Sequence, residues 1–563
     1  NSLDSSVNPK LIDQALSRIS KNITYIPDSE RLKLFNTSNI AEIVDELRNK
    51  DCNAAACGEW LELTIENLIS SEMSIKNSKI HKEKLREAFS DNPKKTLNNF
   101  IWKKELPECK INDKILYDFF ARSFYKEDDT FIPDDNGIFP LSNCFSEENR
   151  KEFMNLLQDK DLIEKVIESR KYDSAAGPDG LDYAVFKMIP QTAASFIKEL
   201  IKIINIQGRV PRSWKESKMT LIYKKGDPEI PENWRPISIS NALYRIISCV
   251  WARSINYFNS SIHTFSNFQR GFIENINGCG DNAAIISELF YDAMKKHKSL
   301  FVTALDFKNA FGSIPHPLII DSLTKKGFPS QFIKVIENVY TGSTTKIVTS
   351  TINTDNINIC KGTKQGCPVS PLLFNLCLEP LFNAINSCNA EDGYIVTSNN
   401  KSSSFKILAY ADDILLISES RIGMENMLKT CEAFCRFSKM KLAPAKSCSF
   451  GYIWKFNSRR GLDNGFSIAG ENIPFVGLDD SIKYLGTPIS ARKVTKLKSS
   501  NEYYLKIKSK VQKIFESDLL IVQKIYAIKT FVIPALDFIL DNGQLKVVHI
   551  RKLDEMISAG INN

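Results

Sequence analysis

Asp412 and Asp413 stand side by side between two short apolar runs, Phe405 to Ala409 and Ile414 to Ile417. That pattern predicts a β-hairpin with the two acids at its tight turn. Two carboxylates at one turn repel each other and need a compensating cation. A divalent metal supplies it, and hard oxygen ligands select magnesium. The ordinary reading of Asp-Asp is a plain polar turn. That reading weakens because a third acid, Asp306, ends another apolar run, Leu300 to Leu305. Two buried strands that deliver three carboxylates suit a two-metal phosphoryl-transfer site.

The rest of the composition bounds the answer. A chain of 563 residues has room for roughly four domain-sized units. Its 43% hydrophobic and 25% charged content is that of a globular protein rather than a disordered one. The net charge of +8 is modest for this size, so its distribution matters more than its sum. No apolar run reaches the length of a membrane span, so no membrane partner is expected. Asn1 to Lys10 is polar, unlike a secretory signal, and the missing initiator Met suggests a fragment or a processed product. The 13 cysteines include Cys52 with Cys57 and Cys431 with Cys435, but no second pair at zinc spacing. Buried thiols in a reducing intracellular compartment are the expectation.

Residues 1 to about 150 read as a mainly helical extension. Ile40 to Leu47 and Leu61 to Ile69 have helical spacing, and Lys82 to Arg86 with Lys94 and Lys95 form a mildly basic surface. Such a surface could touch RNA, although a charge run is usually a solvated face. Glu127 to Gly137 reads as an exposed acidic loop. Ala176 to Gly180 is a turn ahead of a helical run from Tyr183, and Met219 to Tyr223 is a strand. A hairpin carrying Lys224 and Arg235 at its root would present two cations to a triphosphate, Arg bidentate and Lys as a point charge. Two surface basics are the competing reading.

Gly362 to Pro368 is a Gly-rich loop that enters an apolar helix from Pro371 to Ile385. Met424, Met427, Leu428, Cys431, Phe434 and Cys435 form one helical apolar face, which is core. Lys446 opens a short strand to Phe450, and Lys483 to Gly486 closes a hairpin. Between Arg492 and Lys529 ten Lys or Arg face three Asp or Glu. Lys506, Lys508, Lys510 and Lys513 fall on one helix, with Leu519 to Val532 as its apolar partner. A basic helical module after a catalytic core is a candidate grip on a nucleic-acid duplex.

In this order and spacing the motifs resemble a reverse transcriptase of the non-LTR (LINE-type) retrotransposons. They are Ala176 to Gly180; Asn233 to Ser238; Gln269-Arg270-Gly271-Phe272 with Gly278 to Asn282; Leu305 to Phe311; Gln365-Gly366-Cys367-Pro368 with Ser370-Pro371-Leu372; and Tyr410 to Asp413. Weaker features reach back to Leu116 to Phe120. The early motifs and the Gln-Gly-Cys-Pro form look most like the site-specific group that encodes a restriction-like endonuclease. Group II intron reverse transcriptases are the nearest cousins.

The resemblance implies an α+β right hand: a helical N-terminal extension over 1–150, fingers over 151–292, a palm over 293–490 and a helical thumb over 491–563. It implies that Asp306, Asp412 and Asp413, with the Phe307 carbonyl, hold two Mg²⁺ ions, with Mn²⁺ as a substitute. Lys224 and Arg235 would clamp the triphosphate. Gln365 and Gly366 would frame the incoming nucleotide, and Phe311 would pack beneath its sugar. Lys446 resembles the lysine that protonates pyrophosphate, although Ala443 stands where the family often has Asn, which leaves the aim of Lys446 open. Tyr484, Leu485 and Gly486 resemble the primer grip.

The implied activity is RNA-directed DNA synthesis by target-primed reverse transcription, with template RNA, a DNA primer or nicked target DNA, and dNTPs as partners, in the nucleus. A group II intron maturase and a non-catalytic RNA-binding scaffold are the alternatives. The three acids argue against the scaffold, and flanking intron RNA would identify the maturase. No second acid cluster or Cys/His knuckle follows Arg492, so target recognition and cleavage are expected in flanking parts of a polyprotein.

Overall fold

The computed structural model describes residues 82–102, 107–125, 131, 137–172, 174–349, 351–398, 401–461, 465–491, 498–541 and 545–562. The helical stretches expected at 40–47 and 61–69, most of the expected acidic loop and Arg492 lie outside these residues.

Helix and sheet are mixed along the chain, as an α+β reading requires. The strands that position the site are β1 (Glu216–Tyr223), β2 (Trp234–Ile239), β3 (Leu300–Leu305), β4 (Thr344–Ile347) and β5 (Ile357–Asn358). They are followed by β6 (Tyr394–Ser398), β7 (Lys401–Phe405), β8 (Ile407–Tyr410), β9 (Asp413–Ser418), β10 (Cys448–Lys455) and β11 (Ser458–Arg460). Contacts divide the chain into two compact units, one of 105–508 with 533–555, the other of 1–104, 509–532 and 556–563.

The larger unit holds both main sheets. One has the order β11-β10-β3-β9-β8 and is antiparallel throughout. β3 lies at its centre, buried at all six positions but Ala304. Its apolar run has no alternation because both faces are covered. Leu300 and Val302 pack with Ile286, Leu289 and Phe290 of the helix Gly278–Lys295. Phe301 and Leu305 join the core that contains Met424, Met427 and Phe434 of the helix Arg421–Ser438. The expected Met/Cys stripe is therefore core.

The other sheet has the order β2-β1-β4-β5. β1 pairs antiparallel with β2, and parallel with β4 from Glu216 opposite Thr344 to Met219 opposite Ile347. The expected division at 292 is thus crossed: residues 344–358, placed in the palm by the sequence reading, complete the sheet of the fingers stretch. The expected boundary at 150 is crossed too. The helix Asp113–Phe124 buries Leu116, Phe120 and Phe124 against Met219, Leu221, Trp234 and Ile347 of this sheet. These apolar residues recur at i, i+4 and i+8, one face of a helix that needs a sheet to cover it.

In the smaller unit, the residues after His81 pack on those around Asp518. Lys82 pairs with Asp518 at 3.2 Å, and Arg86 Nε donates to the Asp518 carbonyl at 2.9 Å. Phe89 meets Tyr526 edge-on at 6.3 Å. Residues 82–102 of the extension and 509–532 of the expected thumb therefore belong to one unit. The helix Lys498–Glu516 buries Ile507, Val511 and Ile514 along one stripe. Lys506, Lys510 and Lys513 follow one flank of that stripe, while Lys508, two residues from Lys506, lies on the other. The Lys510 ammonium stacks over the Trp102 ring at 4.6 Å. Among the described residues no helix is long and apolar enough to cross a membrane.

Candidate active site

The acid hairpin forms where its alternation places it. Tyr410 pairs with Asp413, leaving Ala411 and Asp412 as a two-residue turn between β8 and β9. Ala411 has φ +53 and Asp412 does not have positive φ, the sign pattern of a type II′ turn. Glycine is the usual residue at that first position, so alanine there is strained. Asp412 is half-buried and Asp413 exposed.

Asp306 leaves the end of β3 one sheet position away. Lys308 N–H donates to the Lys441 carbonyl at 2.8 Å, and Ala443 N–H donates to the Asp306 carbonyl at 2.8 Å. In that pairing the peptide groups of Phe307, opposite Leu442, point away from the partner segment. Ser447 Oγ accepts from the Asp306 N–H at 3.1 Å and donates to the Ala443 carbonyl at 3.0 Å. The same carbonyl accepts from the Lys446 and Ser447 N–H groups, each at 2.9 Å. The turn before Lys446 is therefore closed by backbone and the Ser447 hydroxyl, and it does not need the missing Asn.

Electrostatics tie acids and bases together. Burial raises the Asp306 carboxyl, and Lys446 and Lys224 pull it back down. Burial also raises Asp412; Asp306 adds to the rise, and Arg235 opposes it. Asp413 is pushed up to about 6 by burial, then by Asp412 and Asp306. Lys224 is lowered by burial, then by Arg235 and Lys446. Three cations and three acids from distant stretches thus sense one another.

The cations enter from the β1–β2 hairpin. Ile222 faces Arg235 in register, and Lys224 N–H donates to the Asn233 carbonyl at 2.8 Å. Gln365 joins the same edge: its carbonyl accepts from Ser238 N–H at 2.6 Å. Gly366 has φ +112, and a Cβ there would press on the Ser238 carbonyl oxygen at 2.5 Å. The Oε1 of its neighbour Gln365 is buried with no hydrogen-bond partner among the described residues. A cavity of about 790 Å³ opens here, with Lys224, Trp234, Gln365 and Lys446 on its wall. The three acids, Arg235, Phe311 and Gly366 are not on that wall.

The sequence reading missed part of the wall. Asp118, Arg122 and Ser123 reach it from the helix Asp113–Phe124, and Lys308 and Asn309 from the segment after Asp306. Asn309 has φ +49 and donates from Nδ2 to Ser123 Oγ at 3.0 Å. Asn is one of the few residues that adopt this conformation readily, which is the signal available in Phe307-Lys308-Asn309.

Phe311 stacks on Phe374 with ring centroids 4.2 Å apart and meets Phe272 edge-on at 6.4 Å. The loop carrying Gln365 is tied to it, since Thr363 N–H donates to the Phe311 carbonyl at 2.7 Å. At the expected primer grip, Tyr484 is 4% exposed and its hydroxyl accepts from Asn282 Nδ2 at 3.3 Å. Its side chain is core, filling space beside the helix Gly278–Lys295. What the hairpin presents is its turn, where Leu485 and Gly486 have φ +47 and +88. Tyr503 fixes that turn by donating to the Gly486 carbonyl at 3.0 Å.

Among the described residues no three His, Cys, Asp or Glu converge tightly enough to hold an ion unaided. Magnesium does not require such a cage, because it is commonly bound by one or two carboxylates completed by substrate phosphate and water. Asp306, Asp412 and the Phe307 carbonyl offer the hard oxygens that such an ion takes.

Comparison with known proteins agrees with this geometry. Residues 222–489 match the family described as "Reverse transcriptase (RNA-dependent DNA polymerase)". Over 387 residues the chain is 28% identical to the "Retrovirus-related Pol polyprotein from type-2 retrotransposable element R2DM" of Drosophila melanogaster, covering 68% of this chain and 35% of that one. It is 26% identical over 387 residues to the Pol polyprotein of type-1 retrotransposable element R2 from Nasonia vitripennis, with 68% and 36% covered. Another R2 Pol polyprotein, from Popillia japonica, is 31% identical over 277 residues, with 49% and 37% covered. The matched region thus spans about a third of these curated relatives. A reverse transcriptase domain implies a right-hand polymerase fold and the use of divalent metal ions. Residues 222–489 are therefore a reverse transcriptase domain, similar to those of the R2 non-LTR retrotransposon Pol polyproteins.

Proposed function

We propose that this chain copies a retroelement RNA into DNA, adding dNTPs to a DNA 3′-hydroxyl at the cleft between the acid hairpin and the β1–β2 hairpin. One observation carries the reading: Asp306 lies within electrostatic reach of both Lys224 and Lys446, so the acids and the candidate triphosphate cations share one site. Asp306, Asp412 and the Phe307 carbonyl would hold Mg²⁺, two ions in the full site with Asp413, and Mn²⁺ would substitute. When bound, these ions supply charge neutralisation and a more acidic primer hydroxyl. The chain's own groups do the rest. Lys224 and Arg235 meet the triphosphate oxygens, Gln365 lines the nucleotide cavity, and the Lys446 ammonium gives a proton to the departing pyrophosphate. Primer annealed to RNA, with magnesium and dNTPs, should be extended by the purified chain; no extension would overturn the reading.

The relatives' names place such domains in Pol polyproteins of mobile elements, which favours a nicked chromosomal target as primer and the nucleus as the place of copying. Supplying the element's own nicked target as primer, against an unrelated nick, tests that step.

Phe311 supports the sugar-gate role through its neighbours. Stacked on Phe374, its ring is held from one side and half-exposed on the other. Phe311→Val should admit ribonucleotides while keeping dNTP use, at a stability cost of about 1–2 kcal/mol for the lost stack and area. Single-nucleotide incorporation with paired rNTP and dNTP checks it. An unmoved ribo/deoxy ratio in a folded variant would leave Phe311 as core alone.

The basic helix permits a sharper test than four equivalent lysines would. Lys506 and Lys513 are exposed on one flank. Their joint replacement by alanine should flatten the log–log salt dependence of template–primer binding by about two units, and equally across sequences. Lys508→Ala, on the other flank, should leave that slope within about half a unit by the same relation.

A further inference from the structure

The segment Phe268 to Phe272 is a motif that the proposed chemistry leaves unused. It runs beside β8. Gln269 is bridged in parallel to Ala409, Ala409 N–H donates to the Phe268 carbonyl at 3.0 Å, and Arg270 N–H donates to the Ala409 carbonyl at 3.0 Å. β8 therefore has a neighbour on each edge, β9 and this segment. Backbone pairing stops where the hairpin turns, and there a side chain takes over. Gln269 Oε1 accepts from the Ala411 N–H at 2.7 Å and from the Gly271 N–H at 2.8 Å. Gln269 Nε2 donates to the Ala411 carbonyl at 3.3 Å. One amide thus closes on both polar backbone atoms of Ala411, and Gln269 is 1% exposed.

The support behind it is equally close. A Cβ on Gly271 would collide with the Ala411 nitrogen, so only glycine lets the segment lie this near. Asn375, fully buried, donates from Nδ2 to the Gly271 carbonyl at 2.7 Å. A side-chain relay therefore runs from the helix Ser370–Ser387 through Gly271 and Gln269 to the turn. The residue it reaches is the strained one, Ala411 at φ +53, immediately before Asp412. Such a conformation persists only when its surroundings over-determine it.

We propose that Gln269 is a positioning residue: its amide holds Ala411 in the left-handed conformation and so sets the aim of the Asp412 and Asp413 carboxylates. The catalytic consequence rests on the polymerase reading; the restraint itself does not. A glutamine that merely filled space would be replaceable by methionine, which has the same length and no hydrogen bonds.

Gln269→Met in the full chain is the test, read in three ways. Without metal or nucleotide, deuterium exchange in a peptide spanning residues 408–414 should quicken by about tenfold or more, since the Ala411 amide loses its acceptor. In primer extension kcat should fall by about 10²-fold, as for a small misplacement of reacting groups, while the KM for dNTP stays within about threefold. Ala411→Gly added to Gln269→Met should restore at least about a tenth of wild-type kcat, because glycine takes a positive φ without strain. Unchanged exchange would overturn the restraint. Faster exchange with kcat unmoved, or failure of the glycine to rescue, would overturn the positioning role. An inactive wild-type chain would sink the polymerase reading and the positioning role with it, while exchange still judges the restraint. If the Met variant does not fold, Gln269→Asn, one methylene too short to reach Ala411, takes its place with the same outcomes.

Discussion

Asp412→Ala is expected to lower primer extension by about 10³-fold or more, and Asp306→Ala by a similar factor. Each would remove a hard oxygen from the proposed metal site, where an ion's charge stabilisation is worth several kcal/mol, and about 1.4 kcal/mol is a factor of ten. Loss of folding would not be the cause. The Asp413 carboxyl is pushed up to about 6 by burial and then by Asp412 and Asp306, against an unfolded value of 3.8. Between those values the native state binds more protons than the unfolded one, so stability falls as pH rises through the window. The crowding penalty is absent below about pH 4 and complete above about pH 6. In EDTA the alanine variant should therefore melt at or above wild type, with the larger gain at pH 7.5 and the smaller at pH 5. Calorimetry beside primer extension checks both halves. Extension within tenfold of wild type would remove Asp412 from the site; a variant that melts far lower would remove the electrostatic account.

The parts of this site that were legible in the sequence are those encoded by local pattern. The acid hairpin announced itself because two acids interrupt two apolar runs, and the turn falls where they do. Leu300 to Leu305 was readable as a buried strand, and the hairpin at Lys483 to Gly486 by its closing glycine. What could not be read is register between distant stretches. Nothing near Thr344 says that it pairs with Glu216, and that pairing moves residues 344–358 into the sheet of the fingers stretch. The helix Asp113–Phe124 shows its apolar face in sequence but not the sheet that covers it.

Side-chain roles divide in the same way. Tyr484 looked like a contact residue, yet its hydroxyl is taken by Asn282 inside the core. Gln269 stood in a motif with no role assigned to it, yet its amide grips the turn that carries the paired acids. Both outcomes depend on which neighbour occupies the space, and that neighbour lies more than 140 residues away in each case. The flank of Lys508, by contrast, follows from helical spacing alone.

Arg235→Ala should produce the second large effect, in activity rather than in stability. In the free protein burial, then Arg235 and Lys446, depress the Lys224 ammonium, so three cations crowd one edge of the cleft, while Arg235 also favours the charged Asp412 carboxylate. That crowding opposes the attraction to the acids until a further anion arrives. A triphosphate reverses the sign, because each cation then meets phosphate oxygens instead of its like. Removing the guanidinium should cost about 1.5–3 kcal/mol of charge-assisted hydrogen bonding, or roughly 10–100-fold in kcat/KM for dNTP. It should leave the nucleotide-free protein close to wild type in stability, because Lys224 loses a like neighbour while Asp412 loses an opposite one. Arg235→Lys would restore the charge without the bidentate fork and should recover only part of the loss. Inhibition by inorganic triphosphate offers a readout free of base pairing, and its potency should fall by a similar factor in Arg235→Ala. A variant whose kcat/KM drops while triphosphate inhibits as before would place Arg235 against the base or template instead. One that loses stability would show that its exposed guanidinium supports the β1–β2 hairpin rather than awaiting an anion.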